Sequence, residues 1–166
     1  MKVETPPATR TFADRVAEAV ERKRSQLVVG LDPRLDLLPV ELRGDAHVAR
    51  SAAADAVARF CCGIVDAVAP YAVAVKPQLA FFEALGADGV RAFEQTCQYA
   101  RSAGLLVIAD AKRGDIGSTA RAYAAAYLEG EIPVADAMTV NPYLAETRWN
   151  PSSAPAAVRA AASSAS

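Results

Sequence analysis

Four short apolar runs, each followed by a polar residue, constrain the fold more than any other feature of this sequence. The polar residues are Asp32, Lys76, Asp110 and Asn141, which lie 44, 34 and 31 residues apart. These intervals are close to the length of one strand-helix unit, and repeated units of this kind predict a parallel sheet. Because the carboxyl ends of parallel strands share one edge, the polar residues indicate a functional face, as in a (β/α)8 barrel.

The predicted elements follow from the periodicity of the apolar residues. A capping-box pattern at Thr11 and Asp14 predicts a first helix ending near Arg24. Asp88 is predicted to cap a later helix that stops at Gly104. The predicted strands are Leu27 to Leu31, Tyr71 to Val75, Leu105 to Ala109 and Ala137 to Val140, and the last helix is Ser118 to Leu128. A four-residue repeat predicts the second long helix and its buried stripe: Val48, Ala52, Ala56, Phe60, Ile64 and Val68.

Composition narrows the class of protein. The 166 residues are 52% hydrophobic with a formal net charge of -1, which predicts a soluble globular domain with a core and no nucleic-acid footprint. No apolar run reaches the roughly 20 residues that span a bilayer, and the N-terminus has no signal-peptide core, so we expect no membrane contact and a cytoplasmic location. Residues 1–10 are expected to be a loose terminus.

The cysteines and the histidine of this sequence do not indicate a metal site or a catalytic triad. Cys61, Cys62 and Cys97 lie within apolar helical patterns and lack metal-ligand spacing, so we interpret them as reduced core residues. His47 is the only histidine, which argues against histidine-centred triads and histidine-bound metals.

The stretch from Leu105 to Thr119 contains the strongest site signal, because its apolar run ends in alternating charges. In isolation such charges would suggest a solvated loop, but their place after a buried strand favours a site. Asp110 and Lys112 are two residues apart, so on an extended segment their side chains point the same way. Gly114 would let the chain fold back, so that Asp115 joins them or reaches a neighbouring subunit.

Lys76 and Asp32 are expected to arrive at the same edge from neighbouring strands. In a cluster of alternating charge, each carboxylate favours the protonated form of the ammonium beside it. Such a lysine can deliver a proton to a developing carbanion, and such an aspartate can repel a carboxylate on a substrate.

These residues resemble a known family. Asp110-x-Lys112-x-x-Asp115-Ile-Gly-x-Thr119, together with Leu31-Asp32-Pro33 and Lys76-Pro-Gln-x-Ala-Phe-Phe-Glu83, is similar to orotidine 5'-phosphate decarboxylase in its longer bacterial subfamily. The resemblance covers about residues 11–144 and implies a (β/α)8 TIM barrel of which this chain holds the first four units. It also implies that orotidine 5'-phosphate is converted to UMP without a metal or an organic cofactor.

The resemblance implies a role for each matching residue. Lys112 would protonate C6 of the pyrimidine as carbon dioxide leaves, and Asp110 would press on the departing carboxylate. Lys76 would hold the charge network and a ribose hydroxyl, and Asp32 would bind the ribose. Asp115 and Thr119 would look across the interface of a homodimer into the partner's site.

Two alternatives remain beside this interpretation. Mg²⁺-dependent sugar-phosphate decarboxylases and aldolases of the same superfamily share the Asp-x-Lys-x-x-Asp pattern, but their second strand ends in a metal-binding glutamate. This chain has Lys76 there, and an ammonium group would repel Mg²⁺. The second alternative is a non-catalytic half-barrel that serves as an interaction module.

The resemblance ends near Leu144, and later loops that would close the pyrimidine site and grip the phosphate have no counterpart. In the family, the sequence after this point is commonly Gly-Gly-Asp-Ser-Leu-Glu-Pro-Phe. If one base is deleted from the first of the GC-rich codons that encode it, the shifted frame translates as Ala-Glu-Thr-Arg-Trp-Asn-Pro-Ser. This is the sequence of residues 145–152. We therefore expect residues 145–166 to be a disordered, frameshifted tail, and this truncated chain to have little activity. Sequencing the coding DNA tests the frameshift.

Overall fold

The computed structural model describes residues 10–44 and 49–141 of the chain. Strands and helices alternate through these ranges. The strands are β1 (Val28–Leu31), β2 (Ala74–Pro77), β3 (Leu106–Arg113) and β4 (Ala137–Val140). The helices are α1 (Phe12–Lys23), α2 (Val40–Arg43), α3 (Arg50–Val68), α4 (Leu79–Glu83), α5 (Gly86–Ser102) and α6 (Gly117–Leu128), with a 3-10 turn at Leu35–Leu37.

The strands form one parallel sheet in the order β1-β2-β3-β4. Sequential order with a helix between neighbouring strands is the arrangement of a TIM barrel, so the predicted fold class is confirmed. The register sets Gly30 of β1 beside Lys76 of β2, and Ala74 of β2 beside Leu106 of β3. The carboxyl ends of the strands therefore lie along the same edge.

Helices cover both faces of the sheet. Val107 and Ala109 of β3 belong to the main core, which α3 and α5 complete with Val57, Val65 and Phe93. The alternate β3 residues, Leu106 and Ile108, contact a smaller cluster formed with Phe12, Val16, Ala19 and Val20 of α1. This alternation is the two-residue period of a strand, and it leaves Asp110 and Lys112 on the same face as α1 but nearer the carboxyl edge.

Several local predictions are confirmed. Thr11 and Asp14 form the capping box of α1, with the Asp14 amide donating to Thr11 Oγ1 at 3.2 Å. Gly104 follows α5 with a φ of +76°, the left-handed conformation that ends a helix. The bounds of β4 are those predicted, and α6 begins one residue earlier than predicted.

β1 begins one residue later than predicted, and two strand predictions were wrong by more than one residue. β3 continues to Arg113, so Asp110 and Lys112 lie within the strand and not in a loop after it, because Arg113 still pairs with Val140 of β4. β2 begins at Ala74 and includes Pro77. A proline is tolerated there because the next amide, that of Gln78, donates to the Leu31 carbonyl at 3.0 Å.

Helix details also differ from the predictions. The buried line of α3 is Ala53, Val57, Cys61 and Val65. Of the predicted stripe, Ala56 is fully buried, whereas Ala52, Phe60, Ile64 and Val68 are partly buried. Leu85 is the N-cap of α5, and Asp88 lies in its first turn. The short α2 and α4 were not predicted. His47, Val48 and residues 142–166, including the predicted tail, lie outside the described residues.

The described helices include none that is both long enough and apolar enough to cross a membrane. Cys61, Cys62 and Cys97 are free thiols, and Cys61 and Cys97 are buried. Burial raises the pKa of the Cys61 thiol to about 12, so this thiol stays protonated at neutral pH. Cys61 and Cys97 are core residues as predicted, whereas Cys62 is only partly buried and lies outside the core.

Candidate active site

One carboxylate at the carboxyl edge of the sheet holds two ammonium groups. Lys112 Nζ donates to Asp110 Oδ1 at 2.7 Å, and Lys76 Nζ donates to Asp110 Oδ2. Lys76 comes from β2, whereas Asp110 and Lys112 come from β3. The structure therefore brings together three of the predicted site residues.

Two neutral side chains complete the surroundings of Asp110. Gln78 Nε2 donates to Oδ2 at 3.0 Å, and Thr139 Oγ1 donates to Oδ1 at 2.9 Å. Asp110 is 5% exposed, so donors from three strand ends replace the water that an exposed carboxylate would bind.

The charge state of Asp110 follows from these contacts. Burial by itself would raise the pKa of this carboxyl, but hydrogen bonds from Lys112, Lys76 and Thr139 outweigh burial and lower its pKa to about 2. Asp110 is therefore ionised at neutral pH. The site combines one fixed negative charge with two ammonium groups.

The Lys112 side chain is hydrogen-bonded to Asp110 and is still largely exposed to solvent. Its Nζ contacts Asp110, yet 61% of its side chain is exposed. Its φ is +48°, which is uncommon for a residue other than glycine. A ligand above the strand ends could therefore reach this ammonium group, whereas each oxygen of the Asp110 carboxylate already accepts two hydrogen bonds.

The other predicted site residues are Asp32, Asp115 and Thr119, and the described residues show no hydrogen bond or ion pair between them and Asp110. Asp32 follows β1 and is exposed, and the described residues give its side chain no ion pair or hydrogen bond. Asp115 Oδ1 accepts from the Ile116 amide at 2.7 Å, at the start of α6. Thr119 is exposed in the first turns of α6. The described residues give Asp115 no hydrogen bond or ion pair with Asp110 or Lys112, and whether it joins them or reaches a neighbouring subunit stays a prediction.

Sequence reasoning gave no role to four residues that support the site. Gln78 and Thr139 contact Asp110, and Arg113 pairs with Glu83 beyond the end of the cluster. The two-residue period of β4 could have indicated Thr139, because it places this residue on the same face as Ala137. Arg113 and Glu83 carry no such signal, since their pairing depends on how α4 packs against β3.

Lys76 places an ammonium group at the carboxyl end of β2. Within residues 10–44 and 49–141, no three acidic, histidine or cysteine side chains converge as a group that could hold a metal ion. The carboxylate of Asp110 is instead surrounded by donors. This set of groups suits stabilisation of an anionic ligand and transfer of a proton from Lys112.

The chain was compared with known families and curated proteins. The sequence model described as "Orotidine 5'-phosphate decarboxylase / HUMPS family" matches residues 25–151. An orotidine 5'-phosphate decarboxylase from Rhodopirellula baltica is 47% identical over 147 residues, which is 85% of this chain and 49% of that protein. One from Deinococcus radiodurans is 47% identical over 136 residues, or 82% of this chain and 45% of that protein.

Solved structures show the same relationship. Leishmania donovani OMP decarboxylase superposes with a TM-score of 0.63 at 35% identity, covering 81% of this chain and 45% of its own. Leishmania donovani UMP synthase superposes with a TM-score of 0.67 at 34% identity, covering 86% of this chain and 27% of its own. The chain spans about half the length of the curated relatives it matches.

Proposed function

The chain belongs to the orotidine 5'-phosphate decarboxylase / HUMPS family, and we propose that its site is built for decarboxylation of orotidine 5'-phosphate to UMP, a step of pyrimidine biosynthesis. The observation that carries this proposal is the pair of ammonium groups held on the buried Asp110 carboxylate. The names of the relatives from Rhodopirellula baltica and Deinococcus radiodurans support it.

The proposed chemistry begins with repulsion between two carboxylates. A substrate carboxylate placed beside the ionised Asp110 is destabilised in the ground state, and loss of carbon dioxide removes that repulsion. The carbon-carbon bond breaks, and its electron pair stays on C6 of the pyrimidine. Because Lys112 carries an exposed ammonium group beside Asp110, it is the proposed general acid.

Proton transfer then balances the reaction. The Lys112 ammonium gives one proton to C6, a carbon-hydrogen bond forms, and Lys112 is left as a neutral amine that water can reprotonate. The negative charge that develops on C6 is stabilised by the ammonium group before the proton moves. Neither step requires a metal or an organic cofactor in this proposal.

The remaining residues have proposed binding roles. Lys76 holds the second oxygen of Asp110 and is proposed to contact a ribose hydroxyl. Asp32, exposed after β1, is proposed to bind the ribose. Asp115 precedes α6 and Thr119 lies in its first turn, and both are proposed to serve the site of a partner in a homodimer.

The Mg²⁺-dependent alternative is disfavoured by the position of Lys76. Its ammonium group occupies one oxygen of Asp110 and Lys112 occupies the other. A divalent cation would have to displace both ammonium groups, and each of them would repel it. The low activity expected of this chain and its cytoplasmic location stay predictions.

The test is release of labelled carbon dioxide from carboxyl-labelled orotidine 5'-phosphate, with the chain in excess over substrate. This single-turnover design measures slow chemistry even where substrate binds weakly. We expect Lys112→Met to lower the release rate by at least about 100-fold, the usual range for loss of a general acid.

Lys23→Met is the matched control, because Lys23 is a partly buried lysine that bonds the Ala69 and Ala72 carbonyls at the other end of the sheet. We expect Lys23→Met to keep the release rate of the wild-type chain. Labelled carbon dioxide release at equal rates from Lys112→Met and the wild type would overturn the role of Lys112 as general acid, and release from the wild-type chain no faster than in buffer without protein would count against a working decarboxylation site in this chain.

A further inference from the structure

The strand that carries the proposed proton donor is irregular at that donor. Ala109 pairs with Met138, and the next recorded pair is Arg113 with Val140. Three residues of β3, Asp110 to Lys112, therefore lie opposite the single residue Thr139 of β4. Bulges of this kind bend a strand and redirect its side chains.

The bulge explains how one carboxylate meets its neighbours. Thr139 Oγ1 donates to Asp110 Oδ1 at 2.9 Å and accepts from the Lys112 amide at 3.0 Å. Lys112 itself has a φ of +48°. A left-handed conformation at a residue other than glycine costs free energy, which the contacts around that residue can offset.

Arg113 supplies contacts of that kind on the carboxyl side of the bulge. Its carbonyl accepts from the Asn141 amide at 2.7 Å. Its guanidinium pairs with Glu83 at the end of α4 and lies 5.6 Å from the centre of the Tyr123 ring on α6. Tyr127 adds a long hydrogen bond at 3.5 Å. The Arg113 side chain thus connects β3 to α4 and α6.

We infer that Arg113 is a positioning residue, which fixes the left-handed backbone of Lys112 and so directs the Lys112 ammonium onto Asp110. The inference rests on the proposed function for the role of Lys112, but the geometry can be measured without any reaction. Among the described residues, the Arg113 side chain pairs with Glu83, Tyr123 and Tyr127 and makes no hydrogen bond or ion pair with Asp110. Its effect on chemistry passes through the conformation of Lys112.

The experiment is NMR of the Asp110 side-chain carboxyl and of the Lys112 backbone in the 166-residue chain. In Arg113→Ala, we expect the Lys112 φ to become negative and the Asp110 titration midpoint to rise by at least half a pH unit as the Lys112 hydrogen bond is lost. Arg113→Lys keeps a cation near Glu83 and Tyr123, so it should recover part of both signals.

Arg15→Ala is the matched control, because Arg15 also makes a partly buried ion pair, with Asp136, away from Lys112. We expect it to lower stability while the Asp110 midpoint and the Lys112 φ stay at their wild-type values. If Arg113→Ala lowers stability in the same way and leaves both signals unchanged, Arg113 is purely structural and the inference is overturned.

Glu83→Gln provides a second variant in case Arg113→Ala does not fold. It removes the charge that holds Arg113 but keeps the shape of the side chain, so a smaller change in the same two signals is expected, and no change would contradict the inference. The NMR signals also separate this inference from the proposed function: altered signals together with labelled carbon dioxide release that Lys112→Met does not slow would leave Arg113 as a positioning residue and refute the role of Lys112 as general acid.

Discussion

Asp110 is the residue on which the electrostatics of the site depend. Its folded-state pKa is lowered to about 2, below the value of about 3.9 for an aspartate in an unfolded chain. A lowered folded-state pKa means that its contribution to stability is present above pH 4 or so and is lost as the pH falls toward 2. The contribution of Asp110 to the free energy of unfolding should therefore fall in acid and stay constant near neutral pH.

Replacing Asp110 with asparagine tests whether the ionised carboxylate stabilises the folded chain. At pH 7 we expect Asp110→Asn to lower the free energy of unfolding by about 1 to 2 kcal/mol, allowing for solvent near the exposed part of Lys112. The difference between wild type and variant should shrink between about pH 4 and pH 2. Urea unfolding monitored by circular dichroism measures it, and a difference that is constant over this pH range would contradict the assigned charge state.

The site residues differ in how far a sequence can reveal them. Asp110 and Lys112 follow an apolar run directly, so a local pattern indicates them. Gln78 and Thr139 act only because β2 and β4 flank β3 in a particular register. Asp115 is two residues beyond β3, yet its position relative to Asp110 depends on how the chain enters α6, which composition and spacing do not specify.

At the scale of secondary-structure elements, Gly114 permits the close approach of β3 to the end of β4. Its φ is not in the left-handed region, so the flexibility expected of this glycine is not what the fold uses. A Cβ on Gly114 would lie 3.0 Å from the Asn141 Cβ and 3.4 Å from the Asn141 carbonyl oxygen. The absence of a side chain is what matters here.

Gly114→Ala should therefore destabilise the chain by about 1 kcal/mol, since crowding in packed regions commonly costs that much or more. Gly63→Ala is the control, because a Cβ on Gly63 meets nothing within 4 Å and Gly63 lies inside α3. In a helix that change should be neutral or stabilising by up to about 1 kcal/mol. Urea midpoints compare the two, and an equal response would contradict the packing argument.

The existence and order of the four strands could be predicted because each has an apolar run. Their ends could not, because a strand continues as long as a neighbour offers hydrogen bonds, whatever the polarity of its side chains. β3 illustrates this, since Asp110, Lys112 and Arg113 extend it beyond its apolar part. The short α4 was missed for a related reason: its Leu79 and Phe82 are buried by α5 and β3 and show no helical period of their own.

At the scale of the whole molecule, a second buried aspartate connects the sheet to helices on both of its faces. Asp136, just before β4, accepts from the Val107 amide at 2.7 Å and from Arg15 Nη2 of α1 at 2.6 Å. Arg101 of α5 lies 3.7 Å away, and the Asp136 side chain is fully buried. Four elements on both faces of the sheet thus meet at one carboxylate, at the opposite edge from the candidate site.

Removal of this carboxylate should be costly. Asp136→Ala leaves a buried amide and a partly buried arginine without their partner, so we expect a loss of about 3 kcal/mol in the free energy of unfolding. Asp36→Ala is the control, since Asp36 pairs with Arg34 on the surface with more than half of each side chain exposed, and its midpoint should not change. Similar midpoints for the two variants would show that Asp136 does not join the layers.

The proposed transfer of a proton from Lys112 to carbon is tested most directly by chemical rescue. Lys112→Ala should lose labelled carbon dioxide release from orotidine 5'-phosphate by at least about 100-fold. Added ethylammonium, which carries both charge and an acidic proton, should restore part of that rate, whereas tetramethylammonium, which carries charge alone, should not. Equal restoration by both cations, or unchanged release in Lys112→Ala, would contradict the proposed transfer.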